Sequence, residues 1–184
     1  MWSKLLPSGD SKTDKSLQKA LGKIDQALAA NLWQPDGNHL TLLGDDFFNR
    51  LQEAVKELGK IKNPPAAVTT ARNTLVTLSR SLAQQAVDEA VAGQGNASKI
   101  AKAQSKLAKG DSEAANAKAD KAIAQYEDAW EYAQQALGLP VASSLLAEEQ
   151  PATPAEADEL DETTTDPDAG TLVNRTFLPL VSNQ

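Results

Sequence analysis

The chain has 184 residues and no cysteine, which excludes disulfide scaffolds, thiolate zinc sites and thiol nucleophiles. Aromatic residues are few (three Trp, two Tyr, three Phe) and alanine and leucine dominate, a composition that favours closely packed helices over a β-sandwich core. The formal charge of −7 is lopsided: residues 1–138 hold 17 Lys and Arg against 16 Asp and Glu, and residues 139–184 hold one against nine, so the acidity belongs to the C-terminal quarter and the near-neutral body lacks the basic footprint of a nucleic-acid binder.

No run of 18 apolar residues occurs, so no transmembrane segment is expected, and the opening MWSKLLPSGDSK is too poor in apolar residues for a signal peptide. The first helix is expected to begin between residues 11 and 14, where Asp, Ser and Thr offer caps, and to present Leu17, Leu21, Ile24 and Leu28 with Ala20 and Ala27 alongside. Next comes an irregular stretch in which Pro35-Asp36-Gly37-Asn38 signals a turn between Trp33 and Leu40, Leu42 and Leu43. So many large apolar side chains in one loop predict that it folds over an end of the helical body. Gly44-Asp45-Asp46 is read as the cap of a second helix carrying Phe47, Phe48, Leu51, Val55 and Leu58, which must end before Pro64.

Pro64 and Pro65 can open a third helix over residues 66–92, with Val68, Ala71, Leu75, Leu78 and Leu82 on one face and Val76, Ala83, Val87 and Ala90 widening it. Gly93-Gln94-Gly95-Asn96 breaks the chain. A short fourth helix follows with Ile100, Ala103 and Leu107, and Lys109-Gly110-Asp111 is read as the turn into a final helix over residues 111–137. That last stretch has the most regular pattern in the chain. Ala119, Ile123, Tyr126, Trp130, Ala133 and Leu137 alternate spacings of four and three, and Ala115, Ala122, Ala129 and Ala136 form a parallel row of small residues. At 1.5 Å per residue it would be a rod about 40 Å long, too long to stand without partners. Gly138 and Pro140 supply its stop.

Gly110, Ala122, Tyr126 and Ala129 stand at the spacings of the small and aromatic consensus positions of a tetratricopeptide repeat, which this hairpin resembles. The repeat's early Trp and Leu positions fall on Lys106 and Lys109, and no second copy follows at the repeat period. A broader resemblance covers residues 17–137. The order LW-x-x-DG-x-HL, F-x-x-x-x-x-AV, an LV-containing helix, KIAKA and KAIAQYEDAWEYAQQAL is similar to an all-helical module of unassigned function found in secreted bacterial and archaeal proteins. The FLPLV at residues 177–181 is similar to the tail that ends many secreted proteins of filamentous green bacteria (Chloroflexota). These resemblances imply a secreted or cell-surface location and bring no catalytic residues with them.

Candidate chemistry is sparse. His39 is the only histidine, and Asp36, Asp45 and Asp46 are the carboxylates it could join as a metal ligand. Glu-x-x-His pairs of di-metal bundles are missing. Glu127, Asp128 and Glu131 lie off the apolar seam and read as a solvated face. Gly93-x-Gly95 lacks the strand and third glycine of a dinucleotide loop, and Asp166-x-Asp168-x-Gly170 resembles part of a calcium loop without its closing glutamate. No nucleophile, base and orienting group stand out as a set, so no enzyme activity and no cofactor are expected.

Interaction is the better-supported expectation. Lys99, Lys102, Lys106 and Lys109 follow a 3-4-3 spacing that puts four ammonium groups in one helical stripe, available to an acidic partner or to the protein's own acidic segment. Residues 139–170 read as an acidic Pro/Thr-rich linker too poor in apolar residues to fold. Residues 171–184 turn apolar again, and Phe177, Leu178, Leu180 and Val181 make a docking tail for a protein partner or for self-association. The expected architecture is an all-α antiparallel bundle of four to five helices over residues 1–138, followed by that linker and tail. Its expected role is a non-catalytic extracellular or cell-surface interaction module, or alternatively a structural subunit whose tail inserts into a neighbour.

Overall fold

The computed structural model describes residues 10–141; the expected docking tail with Phe177, Leu178, Leu180 and Val181, and the expected linker beyond residue 141, lie outside the described residues. Five α-helices make up the described part, α1 (Ser11–Ala27), α2 (Gly44–Gly59), α3 (Ala66–Ala92), α4 (Ala97–Ala115) and α5 (Ala119–Ala136), with a 3₁₀ turn at Ala30–Leu32 and no strand among them. The bundle is organised around α5, which packs against α2, α3 and α4, while α1 lies on α2.

Local chemistry explains most of the boundaries. Asp10, just outside the expected 11–14 window, caps α1: its carboxylate accepts from the backbone N–H of Lys12 and Thr13 and from the Thr13 hydroxyl, satisfying donors that a helix start leaves open. Asn96 does the same for α4 by accepting from Lys99 N–H at 3.1 Å. At the end of α5, Gly138 adopts a left-handed φ of 71°; its N–H donates to the Gln135 carbonyl and Leu139 N–H to that of Gln134, a closure that glycine permits without a Cβ clash. Val141, expected in the linker, is instead fully buried.

The loop between α1 and α2 does fold onto the core. Trp33 and Leu40 form an isolated antiparallel bridge, and Asp36 Oδ1 accepts from the N–H groups of Asn38 and His39 to hold the turn. Trp33 donates its indole N–H to the Ala27 carbonyl at 3.1 Å and meets Phe47 edge-on with ring centroids 5.3 Å apart. Phe47, Phe48 and Trp130 continue this chain of rings into the centre. Leu42, expected to join them, is exposed.

Two expectations about glycine are corrected. Gly44 is not a cap. It is the first residue of α2, whose start at Leu43 has no side-chain cap, and a Cβ at Gly44 would stand 2.5 Å from Trp130 Cζ2. The missing side chain makes room for the indole. Nor does Gly110 turn the chain: it lies inside α4, buried, where a Cβ would come within 2.6 Å of Tyr126 Cδ1. The expected rod over 111–137 is therefore two helices.

The bend falls at residues 116–118. Asn116 N–H and its side-chain amide both donate to the Ser112 carbonyl, Ala117 takes a left-handed φ of 58°, and Lys118 N–H donates to Glu113. Left-handed backbone costs an alanine about 1 kcal/mol that glycine does not incur. Ala117→Gly is accordingly expected to raise stability by about 0.5–1 kcal/mol in urea unfolding; a loss of stability would mean that the bend is held some other way.

Despite the bend, the inward row of α5 is as its spacing requires. Ala119, Ile123, Tyr126, Trp130 and Ala133 are buried with Ala122, Ala129 and Ala136, Leu137 is partly covered, and Ala115 sits exposed on α4. On α3 the buried row runs Val68, Ala71, Leu75, Ser79, Ala83, Val87, so Leu78, expected inside, is left outside. Ser79 is tolerated there because its hydroxyl donates to the Leu75 carbonyl at 2.9 Å, and its small size, with that of Ala83, Ala86 and Ala90, lets neighbouring helices approach closely.

Candidate functional site

The four lysines of α4 lie along its border with α5, and α5 answers them with a row of its own. Residues 128, 132 and 135 are spaced by four and three, one face of a helix. Lys99 donates to Gln135 Oε1 at 2.7 Å and Lys106 pairs with Asp128 at 2.7 Å. Between them the ring of Tyr132 has the Lys99 ammonium 5.5 Å and the Lys102 ammonium 5.7 Å from its centroid, within the range of cation–π attraction. Three of the four lysines thus meet α5, Lys99 and Lys106 through hydrogen bonds and Lys102 through the ring face. Lys102 and Lys109 nevertheless stay exposed, seven residues and about 10 Å apart along the helix.

Tyr132 had not been singled out in the sequence. The signal was there in the complementary spacing of Asp128, Tyr132 and Gln135, but only the pairing of α4 with α5 gives that row a meaning.

Neither a family model, nor a curated protein, nor a solved structure matches this chain. The geometry of the polar groups is what remains to distinguish the surfaces.

His39 is held between two carboxylates. Its Nδ1 contacts Asp36 and its Nε2 lies 2.9 Å from Glu89 Oε1, which also accepts from Gln85. Hydrogen bonds to Asp36 first and Glu89 second raise the imidazole pKa above its ordinary 6.5. Asp45 and Asp46 are not part of this set, and no group of three or more His, Asp or Glu side chains is placed to hold a metal ion among the described residues. The arrangement ties the 33–40 loop to α3. Its stabilising effect is fully present below pH 6.5 and is lost as pH rises through the raised value, because the unfolded chain gives up that proton first. Amide exchange in the loop is expected to accelerate across that interval in the native chain and to become pH-independent in His39→Gln after correction for intrinsic exchange. An unchanged pH response in the variant would overturn the assignment.

A three-helix junction links Arg80 of α3, Asp111 of α4 and Tyr126 of α5. Arg80 donates twice to Asp111, at 2.7 and 2.9 Å, and Tyr126 donates its hydroxyl to Asp111 Oδ1 at 2.9 Å. The Arg80 hydrogen bonds hold the Asp111 carboxyl below its usual range, and burial with the Asp111 hydrogen bond keeps the Tyr126 phenol protonated. Asp111, inside α4, is therefore a tie between helices rather than part of a turn.

The expected solvated face of α5 is only partly so. Glu127 is half-buried. Desolvation, reinforced by Glu131, Asp45, Asp128 and Asp46, pushes its carboxyl up to about 8. One oxygen of Asp45, at the start of α2, is itself buried without a hydrogen-bond partner. These acids crowd one another at the α2–α5 contact, and neutralising one relieves the crowding.

Proposed function

We infer that this chain is a non-catalytic helical interaction module, extracellular or surface-associated, whose α4 lysine row receives acidic groups of a protein or surface polymer. The observation that carries this reading is the exposure of Lys109 and of Lys102, the latter beside the Tyr132 ring, in a row whose Lys99 and Lys106 are fixed by hydrogen bonds to α5. The paired lysines and the Tyr132 ring stiffen the row, and a stiff row loses less side-chain entropy on binding than four free lysines would. The helices are read as an antiparallel bundle, supported at the final hairpin by the opposed order of its contacts: Asn96 N–H to Ala136, Lys99 to Gln135, Lys106 to Asp128. The secreted or surface location is supported by the resemblance of residues 17–137 and of FLPLV described above.

The test is retention of the full-length protein on an immobilised poly-glutamate surface at 50 mM salt. Lys102→Glu/Lys109→Glu should weaken retention at least ten-fold, since each reversal replaces an attraction with a repulsion. Equal retention of variant and parent would refute the role of α4. The alternative, a structural subunit assembled through its apolar tail, draws on Phe177, Leu178, Leu180 and Val181. Mass photometry of the full chain beside a 1–170 truncation separates the two, because oligomers that vanish with the tail support assembly and monomers in both support the module.

A further inference from the structure

Away from the α4 row, α1, α2 and the start of α3 line a cleft of about 890 Å³, within the size range of small-molecule sites. Its charges are unequal. Five cationic side chains face three carboxylates: Lys19 and Lys23 from α1, Lys56 from α2, Lys60 just past its end and Arg72 from α3, against Glu53 and Glu57 of α2 and Asp120 of α5. Two of the carboxylates are already engaged, Glu53 with Lys23 at 2.5 Å and Glu57 with Lys60 at 2.6 Å. Lys56 donates to the neutral Gln52 amide oxygen at 2.7 Å and adds to the positive field around Glu53.

Arg72 is the unusual member. Its Nε is buried and has no hydrogen-bond acceptor, a state that folded proteins avoid because a guanidinium N–H loses its water without replacement. Arg72 also lines the cleft, and no carboxylate pairs with it among the described residues, so an anion bound there would sit against an unneutralised guanidinium.

The two glycines of the cleft point the same way. Gly22 lies in the middle of α1 and Gly59 at the last turn of α2, and a Cβ added at either would meet nothing within 4 Å. Neither is demanded by packing, unlike Gly44 and Gly110. A mid-helix glycine weakens its helix relative to alanine, so Gly22 carries a cost for which the surrounding fold offers no return except open space in the cleft.

We propose that this cleft binds a small organic polyanion, its acidic groups met by Arg72, Lys19 and Lys56 and its body accommodated over Gly22 and Gly59. Phosphate and carboxylate share the chemistry that these groups recognise. The guanidinium offers a planar pair of donors and the ammonium groups offer charge without fixed direction. This site is independent of the α4 row and stands or falls separately from it.

Isothermal titration of the full-length protein at low salt with inorganic pyrophosphate and with citrate tests the proposal. Saturable binding of either, with a Kd below about 1 mM, is expected; pyrophosphate alone assigns phosphate groups to the ligand and citrate alone assigns carboxylates. Arg72→Gln should weaken that binding at least ten-fold, and Lys109→Glu, outside the cleft, should leave it unchanged. Gly22→Leu should abolish binding with a Tm equal to or above that of the parent, because leucine fills the cleft while favouring the helix. Failure of both anions to bind, or Gly22→Leu or Arg72→Gln binding as the parent does, would overturn the site.

Discussion

Gly110→Ala is expected to destabilise the protein by about 2 kcal/mol, although alanine is the better helix former by about 1 kcal/mol. The reason lies in α5. A methyl group at this position would come within 2.6 Å of Tyr126 Cδ1, and a buried clash of that kind costs about 1–3 kcal/mol even after side chains adjust. Tyr126 cannot simply swing aside, since its hydroxyl is committed to Asp111 and its ring is buried. Moving it would also leave one acceptor of the Arg80–Asp111 pair without its third partner, adding about 1 kcal/mol. Urea unfolding checks the sign. A stabilised Gly110→Ala protein would mean that Gly110 faces open space and that the α4–α5 contact is wrong. Tyr126→Leu in the Gly110→Ala background should recover part of the loss, because a shorter side chain vacates the contested volume.

Glu127→Gln is expected to have the opposite sign, a gain of about 2 kcal/mol above pH 8. In the folded chain this carboxyl titrates at about 8 rather than 4.5. Below pH 4.5 both folded and unfolded chains hold the proton and the residue costs nothing. Between 4.5 and about 8 the unfolded chain ionises while the folded one does not, so stability falls with rising pH; above that the loss levels off. At about 1.4 kcal/mol for each pH unit the ceiling is about 5 kcal/mol, and the solvent reaching this half-buried group reduces it to about 2 kcal/mol. Glutamine keeps the shape and removes the charge. The gain should therefore be near zero at pH 4, grow through neutrality and be constant above pH 8, as read by urea unfolding across that range. A gain independent of pH would place its origin in packing rather than in the proton.

Both predictions turn on contacts with α5, and they differ in how visible they were beforehand. The inward row Ile123, Tyr126 and Trp130 follows from spacing alone, and all three are buried. The role of Gly110 does not follow, because a glycine before an aspartate is equally good as a turn and as a notch. What decides is the ring of Tyr126, sixteen residues along and on another helix. The burial of Glu127 is hidden from the sequence for a related reason. Its place off the apolar seam follows from spacing, but its surroundings include Asp45 and Asp46 from α2, which helical periodicity within α5 says nothing about.

The same division runs through the charged surface. A stripe of lysines on α4 was legible from its 3-4-3 spacing, whereas Tyr132, Gln135 and Asp128 as its counterpart were not. Arg72 showed no sequence signal at all; an arginine on a helix is ordinary until its Nε is found buried without an acceptor beside a cleft.

The amino-acid sequence alone determined that this protein is helical, where α3 starts and stops, and which row of α5 turns inward. Those features depend on residues within a turn or two of one another: prolines and glycines that end helices, caps, and the 3.6-residue repeat. The tertiary structure decided where the final hairpin bends and which charges are spent between helices. It did so because those outcomes depend on pairs such as Arg80 with Asp111 and His39 with Glu89, 31 and 50 residues apart, whose energies exist only once the helices have met.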